Sequence, residues 1–292
     1  MRLSFLVTVA LVLVSTSVLA QSLSHPLPIV AAENFYGDVA QQLGGDNVEV
    51  TSILSNPNQD PHLFEASTST ARALVESKLV IYNGIGYDPW VAKFLTASQS
   101  EGRKVIVAAA LMRRKPGDNP HLWYDPATMP TFAKALSAEL SASDPDHRAD
   151  YERRLASFLA SLQPITVKID AIRQKYAKTA VTATEPVFNY MAEALGFTIR
   201  NRPFQIAVMN DTEPSAREIA SFERDLKTQS VKILFYNSQT TDNLTARLKK
   251  LARDSKVPIV GVTETEPPGT TFQQWMMEEL DATERALSNG NP

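Results

Sequence analysis

The chain of 292 residues contains no cysteine. That excludes disulfides, thiolate metal ligands and cysteine nucleophiles, and it leaves nothing at an N-terminal cleavage site that a lipid could acylate. Histidine is scarce as well, at four residues, so any imidazole metal site draws on a small pool. No basic block occurs and the formal net charge is -3, which argues against nucleic acid as a partner. A His-Glu-x-x-His helix and a Gly-x-Ser-x-Gly elbow are both missing, removing the usual signatures of a zinc protease and a serine hydrolase. Gly84 and Gly86 lack the third glycine of a dinucleotide fingerprint.

Residues 1–20 read as a secretory signal peptide. Arg2 supplies the positive charge, Leu3 to Leu19 is mostly apolar, and Val18-Leu19-Ala20 offers a small-residue cleavage site. Ser15, Thr16 and Ser17 break the apolar run and no positive flank follows, so a transmembrane anchor is disfavoured. No later segment is expected to approach a membrane span. The expectation is a monomeric, exported, periplasmic protein with no stable membrane anchor, and not a lipoprotein.

Two of the four histidines sit in nearly the same phrase. One is Asp60-Pro61-His62-Leu63-Phe64-Glu65, the other Asn119-Pro120-His121-Leu122-Trp123-Tyr124-Asp125-Pro126. Proline fixes its own φ and pushes the preceding residue towards an extended conformation, so each imidazole is presented on stiff backbone. Stiffness suits a metal ligand, whose ring nitrogen must reach one fixed point at about 2.0–2.1 Å. His25, in the N-terminal tail, and His147, at the start of a charged helix, read as surface residues.

Short apolar runs alternate with helical patterns. Strands are expected at 28–32, 48–53, 79–82 and 104–107 in the first half, and at 180–183, 197–199, 231–236 and 258–262 in the second. Helices are expected at 35–44, at 67–77 with Ser67 as N-cap, from Glu213-Pro214-Ser215 to about 228, and at 243–255. A long helical tract from Asp146 to Lys178 joins the halves, with Pro164 set to kink or split it. The fold class is α/β: two lobes, each a mainly parallel sheet flanked by helices, bridged by a long linking helix. The expected division is 21–145 for the N-terminal lobe, 146–178 for the link and 179–292 for the C-terminal lobe, each lobe with its own core.

Candidate ligands fall beyond the carboxyl ends of the expected strands, where open α/β sheets place ligands. His62 and His121 do so in the first half. Glu185 follows the strand 180–183, and Glu264 follows 258–262, with Glu266 competing for that last position. Two residues from each lobe would meet across a cleft. Asp60, Asn119, Tyr124 and Asp125 are candidates to orient the rings, and Glu65 is expected to act at the start of the following helix.

With these residues in place, the chain resembles the metal-ion solute-binding proteins of ABC importers, the zinc and manganese group. The carriers are Asp60-Pro61-His62 with Glu65, Asn83-Gly84-Ile85-Gly86 with Trp90, Asn119-Pro120-His121-Leu122-Trp123 with Asp125-Pro126, Glu213-Pro214-Ser215 and Thr263-Glu264-Thr265. The likeness covers essentially the whole mature chain. It implies one metal held between the lobes by His62, His121, Glu185 and Glu264, and delivery of that ion to a membrane permease. Two departures stand out: Glu185 replaces the histidine that many zinc-type members carry, and no long His- and acid-rich loop separates the first two ligands. A set of two imidazoles and two carboxylates suits Mn²⁺ or Fe²⁺ as well as Zn²⁺.

Two rival readings exist. An exported metallohydrolase would need an open coordination position and a general base, for which Glu266 is the spare carboxylate. A binding protein for an organic solute would use Arg200 and Arg202, beyond a strand end, as a clamp. Metal capture without chemistry is the expectation, and the protein is not an enzyme. Because protons compete with the metal for imidazole and carboxylate, retention of bound metal on dialysis should decline as the buffer is made acidic.

Overall fold

The structure is a computed structural model, and the residues it describes are 25–58, 61–240 and 242–289. The expected signal peptide and Asp60 lie outside the described residues, as do the side chains of His62 and Asn289.

In the first half, β1 (Leu27–Glu33), α1 (Asn34–Gly44), β2 (Val48–Leu54), α2 (Thr68–Glu76), β3 (Leu79–Tyr82), α3 (Pro89–Ala97) and β4 (Lys104–Val107) alternate, followed by α4 (Ala108–Leu111) and α5 (Thr128–Ser143). The link is α6 (Arg148–Ser161) and α7 (Gln163–Tyr176). The second half runs β5 (Ala180–Ala183), α8 (Asn189–Ala194), β6 (Thr198–Ile199), α9 (Arg202–Met209), α10 (Ala216–Lys227), β7 (Leu234–Asn237), α11 (Asn243–Asp254), β8 (Ile259–Val262) and α12 (Phe272–Asn289). Both sheets are parallel, in the orders β2-β1-β3-β4 and β6-β5-β7-β8. The second half therefore repeats the strand topology of the first. In each sheet the chain runs outward on one side and then returns to the other, creating a crevice at the carboxyl ends of the strands.

Local chemistry explains most boundaries. Ser67 and Ser215 close capping boxes with Thr70 and Glu218 at the starts of α2 and α10. Pro164 lies in the first turn of α7, where its missing N–H breaks no helical bond, so the link splits beside Leu162 rather than kinking mid-helix. Pro258 cannot donate, and β8 begins one residue later than expected. β7 is also later and shorter than expected; its approach segment is still tied to β5, since Lys232 N donates to the Ala180 carbonyl at 2.8 Å. Glu65 is exposed and precedes the first turn of α2, so Ser67 and not Glu65 serves that helix start.

The expectation of separate cores is corrected. One continuous cluster of buried apolar side chains runs through both lobes and the link. Aromatic rings carry it across: Phe35 lies 4.7 Å from Trp123 and 5.9 Å from Trp275 between ring centroids, Trp275 lies 5.6 Å from Tyr124, Tyr124 lies 5.1 Å from Phe188, and Phe188 lies 4.8 Å from Phe235. α12, whose packing the sequence reading passed over, returns from the second sheet to lie on α7 and α1. Smaller clusters on the outer faces complete each lobe.

The expectation about later membrane spans is corrected too. The stretch Pro145–Tyr176, 32 residues, is long and apolar enough to cross a membrane by length and composition. Here its apolar stripe, including Tyr151, Phe158, Ile165, Ile169 and Ile172, is buried against the body of the protein.

The shared aromatic core predicts that the lobes unfold together. Phe35→Ala should cost ~3–5 kcal/mol while leaving a single denaturant transition, with far-UV and aromatic near-UV signals lost at the same midpoint.

Candidate metal centre

His121, fully buried, is held on every side. Its Nδ1 lies 2.6 Å from Asn119 Oδ1, which also accepts from the His121 backbone N–H at 3.2 Å. The preceding Pro120 carbonyl accepts from Asn83 Nδ2 at 2.8 Å, and Asn83 is fixed in turn by the Tyr36 hydroxyl at 2.9 Å. Tyr87 and Trp123 meet the imidazole edge-on, at 6.1 and 5.3 Å between centroids. The Asn119 side chain thus fixes the ring with Nδ1 turned to Asn119 and Nε2 turned towards the Glu264 loop.

Glu264 Oε2, also fully buried, stands 3.4 Å from that Nε2. Its other oxygen, Oε1, accepts from Asn237 Nδ2 at 2.5 Å, and its backbone N–H donates to Gln239 Oε1 at 2.6 Å. Gln239 is locked by Asn237 Oδ1 and by Thr265 Oγ1, both at 3.0 Å. The same loop reaches Glu185, which is 5% exposed: Thr240 Oγ1 donates to its Oε1 at 3.0 Å. Glu185 is also coupled to the His121 loop, because Asn119 Nδ2 donates to the Pro186 carbonyl at 2.8 Å.

Of the four expected ligands, His121 and Glu264 meet directly. Glu185 joins them through the loop of Asn237 to Thr240, and the backbone of His62 lies in a single helical turn, Pro61–Leu63. Among the described residues no group of three or more His, Asp or Glu side chains gathers as a metal cluster. Glu266 sits elsewhere: its backbone exchanges two hydrogen bonds with the side chain of Asn34, at 2.7 and 3.0 Å, and burial, reinforced by the Asp38 charge, pushes its carboxyl up to about 9. Arg200 grips Asp225 through two nitrogens, and Arg202 pairs with Glu193, so neither stands as an open clamp for an organic anion. Asp125 is engaged by Arg114 at 2.9 Å and caps the following turn. His25 is exposed, and His147, half-buried, pairs with Asp144.

Sequence reading missed the supporting loop Asn237-Ser238-Gln239-Thr240, although its position after a strand was a usable signal. It also missed two buried carboxyls. Glu33, at the end of β1, is raised well above the ordinary carboxylate value by burial and then by the Asp88 charge. Asp88 accepts from the N–H groups of Asn83 and Gly84, at 2.5 and 2.8 Å. Glu279 on α12 accepts from Trp275 Nε1 at 2.9 Å and from Thr263 N at 3.3 Å. The Tyr124 hydroxyl lies 2.7 Å from the Thr263 carbonyl and 2.9 Å from Glu279 Oε1. Burial pushes the Glu279 carboxyl up to about 8, while the bonds it accepts from Tyr124, Trp275 and Thr263 pull it back down. This trio ties the loop of His121 to the loop of Glu264.

Comparison with known proteins follows the same lines. The family described as zinc-uptake complex component A, periplasmic, matches residues 29–286. The manganese ABC transporter substrate-binding lipoprotein PsaA of Streptococcus mitis is 24% identical, over 97% of this chain and 96% of its own length. The iron ABC transporter substrate-binding lipoprotein MtsA of Streptococcus pyogenes serotype M1 is also 24% identical, over 98% of this chain and 96% of its own. The periplasmic zinc-binding protein TroA of Treponema pallidum superposes with a TM-score of 0.76 at 18% identity, covering 90% of this chain and 99% of TroA. The two streptococcal names overturn the expectation that the protein is not a lipoprotein.

Glu279 gives a pH test. Its carboxyl is raised in the folded state from the ordinary 4.5 to about 8, so the fold favours the protonated form. The stability tied to that form is complete below the ordinary value and is lost as pH rises through about 8. Glu279→Gln keeps an acceptor oxygen and cannot ionise. It should melt above wild type at about pH 9, with the difference closing towards about pH 5.

Proposed function

This chain belongs to the zinc-uptake complex component A family, and we propose that it holds its metal with His62, His121, Glu185 and Glu264. It is a substrate-binding protein of a metal-ion ABC importer and not an enzyme. It works with a membrane permease, and its cargo is a divalent transition metal, zinc or manganese, with iron also within its range. We take residues 21–145 and 179–292 as the two metal-binding lobes, 146–178 as the link, and the protein as a monomer.

The observation that carries the ligand assignment is the buried approach of His121 Nε2 to Glu264 Oε2 at 3.4 Å, from loops of opposite lobes. Two donor atoms this close, one from each lobe, are placed to share a single cation. Two imidazoles and two carboxylates would leave a bound dication electrically neutral, which lowers the cost of burying it. Asn119 supports the role of His121 by fixing the ring orientation, as partners of metal-bound histidines commonly do. Release to the permease requires the loops to part, and the hydrogen bonds from Asn34 to Glu266 and from Asn119 to Pro186 are the contacts that must yield.

Metal analysis of protein purified without chelator tests this. Wild type should carry roughly one equivalent of zinc, manganese or iron, and His62→Ala and Glu185→Ala should each lose it. Absence of metal in wild type, with no rise in melting temperature on adding Zn²⁺ or Mn²⁺, would overturn the reading.

A further inference from the structure

We propose that Asn237 and Thr240 set the metal preference of this site by restricting each carboxylate to a single metal-binding oxygen, favouring four-coordinate zinc over manganese. The proposal rests on the metal-capture reading above and goes beyond it to selectivity. Asn237 closes β7 and is in register with Val262 of β8, two residues before Glu264. That register aims its amide at the carboxylate. Asn237 Nδ2 takes Glu264 Oε1 at 2.5 Å, and the opposite oxygen, Oε2, faces His121. Three residues along the same loop, the Thr240 hydroxyl takes Glu185 Oε1 at 3.0 Å.

A donor seated on one carboxylate oxygen competes with a metal for that oxygen and favours binding through the other. Two imidazoles and two singly bound carboxylates supply four donors, the number that zinc takes in a tetrahedral site. Manganese prefers an octahedral set richer in oxygen, which two bidentate carboxylates would approach. The 3.4 Å between His121 Nε2 and Glu264 Oε2 places two donors, one from each lobe, close enough to share one ion. Asn237 is itself buried and braced, since its Oδ1 accepts from the Gln239 backbone N–H at 3.0 Å, so the amide cannot swing away to admit the second oxygen.

The test uses Zn²⁺, Mn²⁺ and Co²⁺ salts with the full chain and two variants. Thr240→Val keeps the shape of the side chain and removes the donor; Asn237→Leu does the same for the other carboxylate. Cobalt reports geometry, because tetrahedral Co²⁺ absorbs visible light far more strongly than octahedral Co²⁺. Wild type should show the intense tetrahedral spectrum and prefer zinc. Each variant should still bind zinc, lose much of the cobalt absorption, and show a zinc-to-manganese preference reduced about tenfold, the lower end of what such outer partners contribute. A weak, octahedral-type spectrum in wild type would overturn the proposal, as would an unchanged preference and spectrum in Thr240→Val at unchanged melting temperature. Failure of wild type to take up any of the three ions would instead overturn the metal-capture reading beneath it.

Discussion

A histidine from one sheet and a glutamate from the other approach to 3.4 Å with both side chains closed to solvent. Burying such groups is costly unless every remaining polar atom has a partner, at about 1–3 kcal/mol for each one left unmade. The surrounding architecture answers that constraint. Asn119 takes the far ring nitrogen of His121, Asn237 takes the far oxygen of Glu264, and Gln239 takes the Glu264 backbone N–H. These bonds hold the imidazole and the carboxylate in fixed positions facing one another across the two loops.

The lobes are joined at more than the site. Aromatic rings from both sheets form one core, and the link and α12 lie along it. Polar contacts add a second layer: Asn34 to the Glu266 backbone, Asn119 to Pro186, and Tyr124 to Thr263 and Glu279. Such a body resists wide hinge opening. Exchange of the ion is therefore better served by local movement of the loops than by separation of the lobes, because loops lose few buried contacts when they shift.

The repeated topology explains where the proposed ligands of the second lobe lie. Each sheet has its first and third strands side by side, and chain leaving their carboxyl ends lines a crevice. In the second sheet that crevice holds Glu185, after β5, and Asn237, at the end of β7. In the first it holds Glu33 and Asn83, with Asp88 close by, and Asn83 braces the His121 loop through the Pro120 carbonyl. The same scaffold thus presents a carboxylate in one lobe and hides one in the other.

Alternating β-branched runs and helical periodicity determined the α/β class, the two parallel sheets and most element positions, because these depend on local patterns of apolar residues. Capping serines and Pro164 marked their boundaries for the same local reason. The doubled Pro-His phrase singled out His62 and His121 as candidates, since stiff presentation is written in neighbouring residues. Other features are decided between residues far apart in the chain. The single core arises because rings from Phe35 to Phe235 meet only when the sheets pack. The separation of Glu264 from Glu266 depends on which one turns towards His121 and which towards Asn34 and Asp38. The position of Asn237 and Thr240 after a strand is written in the sequence, but their partners and those of Glu279 are not, because a polar side chain gains its partner only when packing brings the two together.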